Sequence, residues 1–377
     1  MTGPRLVVDL EKIKHNASTL LERLRCQGIS LTAVTKAFAS HPSLIEALTA
    51  AGIRTFGDSR IENIEAMRHA GSTATIALIR APMLSQCDRV VANADYSLNT
   101  ELDTIRALSQ AARVRNLRHG VVLMVELGDL REGIMPCDLH AIVRQCFELP
   151  NINLLGIGTN LGCLNSVEPD TAKMQTMSDL VDDLDDTFRA FTGNAMRVVS
   201  GGNSSNLKQL MSRPCTDRIN NLRVGEAILL GIDPLSGSPI PGLRTDGIAL
   251  YAEVIEAKKK PIQPWGSIKG KQLPADPQAK TSRQSLRLVL AVGRQDIDPA
   301  GLVPIGQFRI IGTSSDHLVI TTNDHQMTVG SEIGFQVDYA SVLRAMTSPY
   351  VTKKFVKGAV KTRLQECSAW QRGILHT

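Results

Sequence analysis

A single lysine, Lys36, ends a run of apolar and β-branched residues, Leu31-Thr32-Ala33-Val34-Thr35. That run reads as a strand. Pro42 behind it suits the first turn of a helix. A lysine buried at the end of a strand loses hydration, which favours the neutral amine. A neutral amine can form a Schiff base with an aldehyde. A second candidate is the turn Ser200-Gly201-Gly202-Asn203-Ser204-Ser205-Asn206, between a strand and a helix. Its successive N–H groups and the Ser204 hydroxyl could cradle an anion such as phosphate, although capping turns use the same residue types. Arg223 and Gly225 follow on the next strand, with Glu226 as a ready ion-pair partner for the arginine. Arg131, after Gly128-Asp129-Leu130, could grip a carboxylate or simply pair with Asp129 or Glu132.

These residues share a structural address. Strand-like runs near Lys36, residues 53–57, 73–79, 95–98, 120–127, 154–161, 195–199 and 221–227 are separated mostly by helical patterns. Eight such units within about 200 residues predict a closed (β/α)8 barrel, with a TIM-type active face at the strand C-terminal ends. Lys36, Arg80, Arg131, Asn160, Ser200 to Ser204 and Arg223 all fall at those ends. Gly156-Ile157-Gly158 lacks the third glycine and the helix that a dinucleotide fingerprint needs.

After Gly231 the pattern changes. Residues 232–242 are rich in proline and glycine and read as a linker. Beyond them strands are predicted at 248–257, 286–292, 308–311, 317–321 and 332–338. The expected domains are therefore a barrel over 1–231 and a β-rich domain over 232–377. Residues 1–10 are candidates to pair with the second domain. A polar insertion near 258–283 predicts a long hairpin, and residues 350–377 a basic, partly helical tail.

Composition narrows the classes. The net charge of +5 is small for 377 residues, and no basic stripe interleaves aromatics, so nucleic acid is not the expected partner. The seven cysteines form no CxxC pair and the histidines no HxxxH pair, which disfavours a disulfide framework or a zinc site. No signal peptide or membrane-length apolar run is visible. A soluble cytoplasmic protein is the expectation.

Several stretches occur together and in order: residues 56–63, 125–133, 199–205, 221–226, 293–296 and 312–318. With them the chain, from about residue 5 to residue 351, resembles the alanine-racemase-like, fold type III family of pyridoxal-phosphate enzymes. The resemblance implies that Lys36 binds the cofactor aldehyde. It implies that Ser200, Gly202, Asn203, Ser204, Gly225 and Glu226 surround the phosphate, and that Arg223 faces the pyridine nitrogen. Arg131 matches an arginine near the cofactor's phenolic oxygen and the substrate carboxylate. Asn160 stands where alanine racemases carry a histidine against the ring. A homodimer with shared active sites is implied, and the activity implied is racemisation of an amino acid, ornithine or a similar diamino acid.

Racemisation needs a base on each face of Cα. In alanine racemases the base opposite the lysine is a tyrosine from the partner's β domain. Here Arg294 or Gln295 occupies that place. His317, oriented by Asp316, is the first candidate for the second base, with Asp296 and Tyr339 behind it. Asp58, Asp296 and Asp298 are candidate partners for a substrate's second ammonium, and Ser315 is a further substrate contact. A related decarboxylase and a cofactor carrier without catalysis stay open as alternatives.

Overall fold

In the computed structural model, residues 3–211, 218–265, 267–268, 271–272 and 284–358 are described. Two compact units emerge. One runs Leu10–Thr245, and the other joins the residues up to Asp9 with those from Asp246 on.

The first unit is the barrel. Helix α1 (Leu10–Arg25) leads in, with Ile13, Ala17, Leu20 and Leu24 all fully buried along one stripe. Eight strands follow: β2 (Ser30–Val34), β3 (Thr55–Asp58), β4 (Thr75–Leu78), β5 (Tyr96–Asn99), β6 (His119–Val125), β7 (Ile152–Thr159), β8 (Val198–Ser200) and β9 (Asn221–Val224). They close into a parallel barrel because β9 pairs back onto β2, with Thr32 opposite Arg223. All seven residues of β6 are buried, as a strand covered on both faces requires. The intervening helices are α2 (Pro42–Ala50), α3 (Ile61–His69), α4 (Cys87–Asn93), α5 (Leu102–Val114), α6 (Leu139–Glu148), α7 (Thr171–Thr192), α8 (Leu207–Met211) and α9 (Glu226–Leu230). The eight-strand reading of the sequence matches this barrel strand for strand.

Residues 232–242 are not a free linker. Ile232 bridges Pro239, and the Ile240 N–H returns to the Gly231 carbonyl at 2.9 Å. The proline and glycine there fold a turn within the barrel unit, so its boundary falls after Thr245 rather than at 231.

The second unit is built on an eight-stranded mixed sheet, with a separate two-stranded one. β1 (Arg5–Asp9) pairs antiparallel with β10 (Ile248–Pro261) and parallel with β18 (Thr352–Val356). β10 also pairs with β13 (Gln284–Leu290) as far as Pro261 opposite Gln284. Between them, β11 (Ser267–Ile268) and β12 (Lys271–Gln272) pair antiparallel. The rest of the insertion expected at 258–283 lies outside the described residues. β14 (Leu302–Pro304), β15 (Phe308–Thr313), β16 (Leu318–Thr322) and β17 (Glu332–Val337) complete the sheet, in the order β14-β17-β10-β13-β16-β15. Helix α10 (Tyr339–Thr347) is capped by the Asp338 carboxylate, which accepts the Ser341 N–H at 2.8 Å. Of the basic, partly helical tail expected from 350, residues 352–356 are strand instead. Residues 359–377 lie outside the described part. Among the described residues no helix is long and apolar enough to cross a membrane, and no cluster of His, Cys, Asp and Glu could hold a metal.

Candidate active site

Strand β2 ends at Val34, and Lys36 opens a one-turn 3-10 helix, Lys36–Phe38, rather than extending the strand. Ala37 and Phe38 are buried under it. Ala39 and Ser40 then take left-handed backbone, with φ of 48° and 51°. Such residues without glycine's freedom cost roughly 1–2 kcal/mol each and persist only when their surroundings fix them. Pro42 starts α2 as expected. Lys36 is half-buried, not fully enclosed.

The glycine-serine turn connects β8 to α8. Gly202 has φ of 113°, and its carbonyl accepts the Arg223 N–H at 3.0 Å. The Ser204 hydroxyl is buried and accepts the N–H groups of Gly225 at 3.3 Å and Ala227 at 3.4 Å. Two loops thus bring donors to one point at the head of α9, where Glu226 is the first helical residue. Gly225 is needed for packing, because a Cβ there would stand 3.0 Å from Val34 Cβ. Asn203 braces the turn. Its amide nitrogen donates to Asn160 Oδ1 at 2.9 Å and the Leu161 carbonyl at 2.8 Å, and its oxygen accepts the Ser205 N–H at 2.8 Å.

Arg223 is 5% exposed. Its Nη1 donates to Ser200 Oγ at 2.5 Å, and its Nη2 to the Thr159 carbonyl at 2.8 Å and Asn160 Oδ1 at 3.4 Å. All of these acceptors are neutral, so the ion pair with Glu226 that the sequence left open is not formed. Burial is the main cause that lowers this guanidinium to about 10. Tyr96 and Glu132 pull it back up, and Arg131 pushes it further down. It remains charged at neutral pH.

Arg131 pairs with Glu132, not Asp129, and its Nη1 lies 2.5 Å from Cys163 Sγ. Burial works to lower the Arg131 pKa, but the Glu132 carboxylate more than offsets that and raises it. Asp129 ties two mouth loops together. Its carboxylate accepts the N–H groups of Leu164 at 2.8 Å, Asn165 at 3.3 Å, and Cys163 and Val167 at 3.4 Å. Burial raises an acid, yet these four donors hold Asp129 below the ordinary range.

Of the acidic candidates for a substrate ammonium, Asp58 is fully buried at the end of β3 and bonds to the residues flanking the Lys36 turn. In the sheet unit, Asp296 is 9% exposed and its Oδ1 accepts the Ser348 hydroxyl at 2.7 Å. Asp298 caps a turn through the Ala300 N–H at 3.2 Å, and Tyr339 opens α10. The turn carrying Gly293 and the turn carrying Ser315 lie against each other, with the Arg294 N–H on the Ser314 carbonyl at 3.0 Å. His317 is exposed, and its Nδ1 meets Ser314 Oγ at 3.5 Å. Asp316 does not orient it. That carboxylate takes Gln295 Nε2 at 2.5 Å and the Ser315 hydroxyl at 2.6 Å.

Sequence reasoning missed several polar groups inside the barrel. Asn221 accepts the Ser200 hydroxyl at 2.8 Å and donates to Thr32 at 3.0 Å, and Thr32 bonds Tyr96. Their signal was a polar side chain inside an apolar strand.

A closed parallel barrel with its reactive side chains at the strand C-terminal ends defines an enzyme-type (β/α)8 scaffold. Residues 8–234 match the alanine racemase N-terminal domain, and the chain belongs to that family. It is 34% identical over 357 residues to ornithine racemase of Acetoanaerobium sticklandii, covering 94% of this chain and 99% of that one. It is 33% identical over 361 residues to lysine racemase of Thermotoga maritima, again covering 94% and 99%. Among solved structures, alanine racemase of Clostridium difficile superimposes with a TM-score of 0.74 at 16% identity, over 95% of this chain and 97% of that one.

Proposed function

We propose that this chain is a pyridoxal-phosphate-dependent racemase that interconverts the enantiomers of ornithine or a similar diamino acid. The observation that carries this reading is Arg223, a buried cation that among the described residues bonds only to neutral groups, set on the strand beside the one that leads to Lys36. A desolvated guanidinium without a carboxylate partner suits a neutral acceptor such as a pyridine nitrogen. The donors gathered at Ser204 and Gly225 suit a phosphate. The residues present therefore fit the cofactor. The two relatives named as ornithine and lysine racemases support the choice of substrate class.

When bound, the cofactor supplies an electron sink for the bond to the substrate's α-hydrogen. Lys36 would hold the cofactor through its aldehyde, and its amine, once displaced by the substrate's own amine, would move the proton at Cα on one face. Arg223 holds its own proton and disfavours a second positive charge at the ring nitrogen. Held there, Arg223 would limit the cofactor to a weaker electron sink, which favours return of the proton to Cα over other outcomes. Asn160, Ser200, Gly202 and Asn203 keep Arg223 and the phosphate donors in place. Arg131 grips the substrate carboxylate bidentately once it turns from Glu132. His317 serves the opposite face, reaching a partner's site in a homodimer, and its exposure supports that role. Asp296 and Ser315 are the candidates to meet the distal ammonium. The protein works in the cytoplasm.

The test is α-hydrogen exchange in deuterium oxide across a panel of amino acids. Exchange with both enantiomers of ornithine or lysine is expected. A protein that binds the cofactor but exchanges with no amino acid is a carrier. Release of carbon dioxide from L-ornithine marks a decarboxylase.

A further inference from the structure

Asp58 has no exposed surface and, among the described residues, no cationic partner, yet four donors converge on it. Its Oδ2 accepts the Thr35 hydroxyl at 2.6 Å and the Ser40 hydroxyl at 2.9 Å. Its Oδ1 accepts the Arg60 N–H at 2.9 Å and the Asn63 amide at 3.0 Å. Thr35 immediately precedes Lys36, and Ser40 ends the turn that Lys36 begins. The two hydroxyls also bond each other at 3.0 Å. One carboxylate oxygen therefore closes a ring across the base of the lysine turn, while the other anchors that carboxylate to the start of α3. Ala39 and Ser40 hold left-handed backbone inside this ring.

We propose that Asp58 is a positioning residue for Lys36, clamping both ends of its turn so that the amine is presented at a fixed place in the barrel mouth. The proposal rests on the reading of Lys36 as the residue that binds the cofactor aldehyde. A carboxylate is required because every bond uses it as an acceptor. An amide of the same shape keeps all four bonds only if its nitrogen faces Thr35 and Ser40 and both hydroxyls reverse to accept, which undoes the ring as it stands. The clamp explains how two strained residues persist beside a half-buried lysine, and why the acid is sealed away from any substrate.

The experiment compares two ligands on the purified, cofactor-stripped protein and its variants. Pyridoxal 5'-phosphate uses Lys36 as well as the phosphate and ring contacts. Pyridoxine 5'-phosphate carries an alcohol in place of the aldehyde and uses only the latter. In Asp58→Asn the affinity for pyridoxal 5'-phosphate falls by about ten-fold or more, while that for pyridoxine 5'-phosphate stays within about two-fold. A merely structural role weakens both together, and that result overturns the proposal, as does no change in either. Should Asp58→Asn fail to fold, Ser40→Ala decides. It removes one of the two clamped hydroxyls, and a selective loss of several-fold is expected. Equal affinities in Ser40→Ala and the parent overturn the proposal. Borohydride trapping of the parent separates the underlying reading. If the parent forms no covalent link at Lys36, the cofactor assignment falls and takes the clamp's purpose with it. If it forms the link and the variants keep the same preference, only the clamp falls.

Discussion

The Arg223 guanidinium lies 2.5 Å from the Ser200 hydroxyl, which passes its own hydrogen to Asn221 at 2.8 Å. A buried cation is thus held by a relay of neutral groups running on through Thr32 to Tyr96. Its charge stays available to a ligand because, among the described residues, no carboxylate hydrogen-bonds to it and Glu132 acts on it only without a bond. Ser200→Ala leaves Nη1 without that acceptor. The expected loss is about 1.5–3 kcal/mol of stability, read as a lower urea midpoint. Racemisation falls by about ten-fold in kcat/KM. Unchanged kinetics in a folded variant would show that Thr159 and Asn160 suffice to hold the arginine.

Gly156 shows why two glycines stand in β7 without any dinucleotide role. It sits at φ 152°, and a Cβ there would come within 2.0 Å of the Val198 carbonyl oxygen. Gly158, two residues on, packs a would-be Cβ 3.1 Å from Ser200 Cβ. The pair lets β7 and β8 approach where the glycine-serine turn begins. Gly156→Ala is expected to cost about 3 kcal/mol or more, measured by urea unfolding of the purified protein. A loss below about 1 kcal/mol would mean that Val198 yields easily.

The barrel was legible because its information is local. Lys36 and Ser204 come after apolar runs that mark strands, Arg223 stands in the last short strand itself, and strand ends in such a barrel share one face. The clamp was not legible, because Asp58 meets Thr35 and Ser40 only after β2 and β3 pair. Nothing in the spacing of those residues distinguishes a buried acceptor from a solvated loop acid. The turn at 232–242 misled for a related reason. Proline and glycine report that the chain bends, not whether the bend packs back on its own unit. Helix α10 was missed because it is short and strand β17 runs almost directly into it.

His317 and Asp316 are neighbours in sequence but not hydrogen-bond partners. If His317 serves one face of Cα, His317→Gln slows α-hydrogen exchange from one enantiomer several-fold more than from the other. Asp316→Ala leaves that ratio within about two-fold of the parent, because its carboxylate holds Gln295 and Ser315 instead. Equal slowing of both enantiomers by His317→Gln removes the residue from the role and turns attention to Tyr339.

His119, at the start of β6, supplies a pH dependence of folding that is separate from catalysis. It is 1% exposed, and its Nε2 meets the Ser97 hydroxyl at 2.8 Å. Burial pushes its pKa down to about 4, against the opposing pull of the Ala94 carbonyl and the Asp95 charge. In the unfolded chain a histidine titrates near 6.5. Between those values the unfolded chain takes up a proton that the folded barrel refuses, so stability falls as pH falls. The stabilisation is complete above about pH 6.5 and is lost progressively toward pH 4, a difference of about 3 kcal/mol for this one group. Thermal melts from pH 7 to pH 5 should show a declining midpoint, and His119→Gln should flatten that decline while lowering the midpoint at pH 7. An equally steep decline in the variant would assign the acid sensitivity to carboxylates elsewhere in the fold.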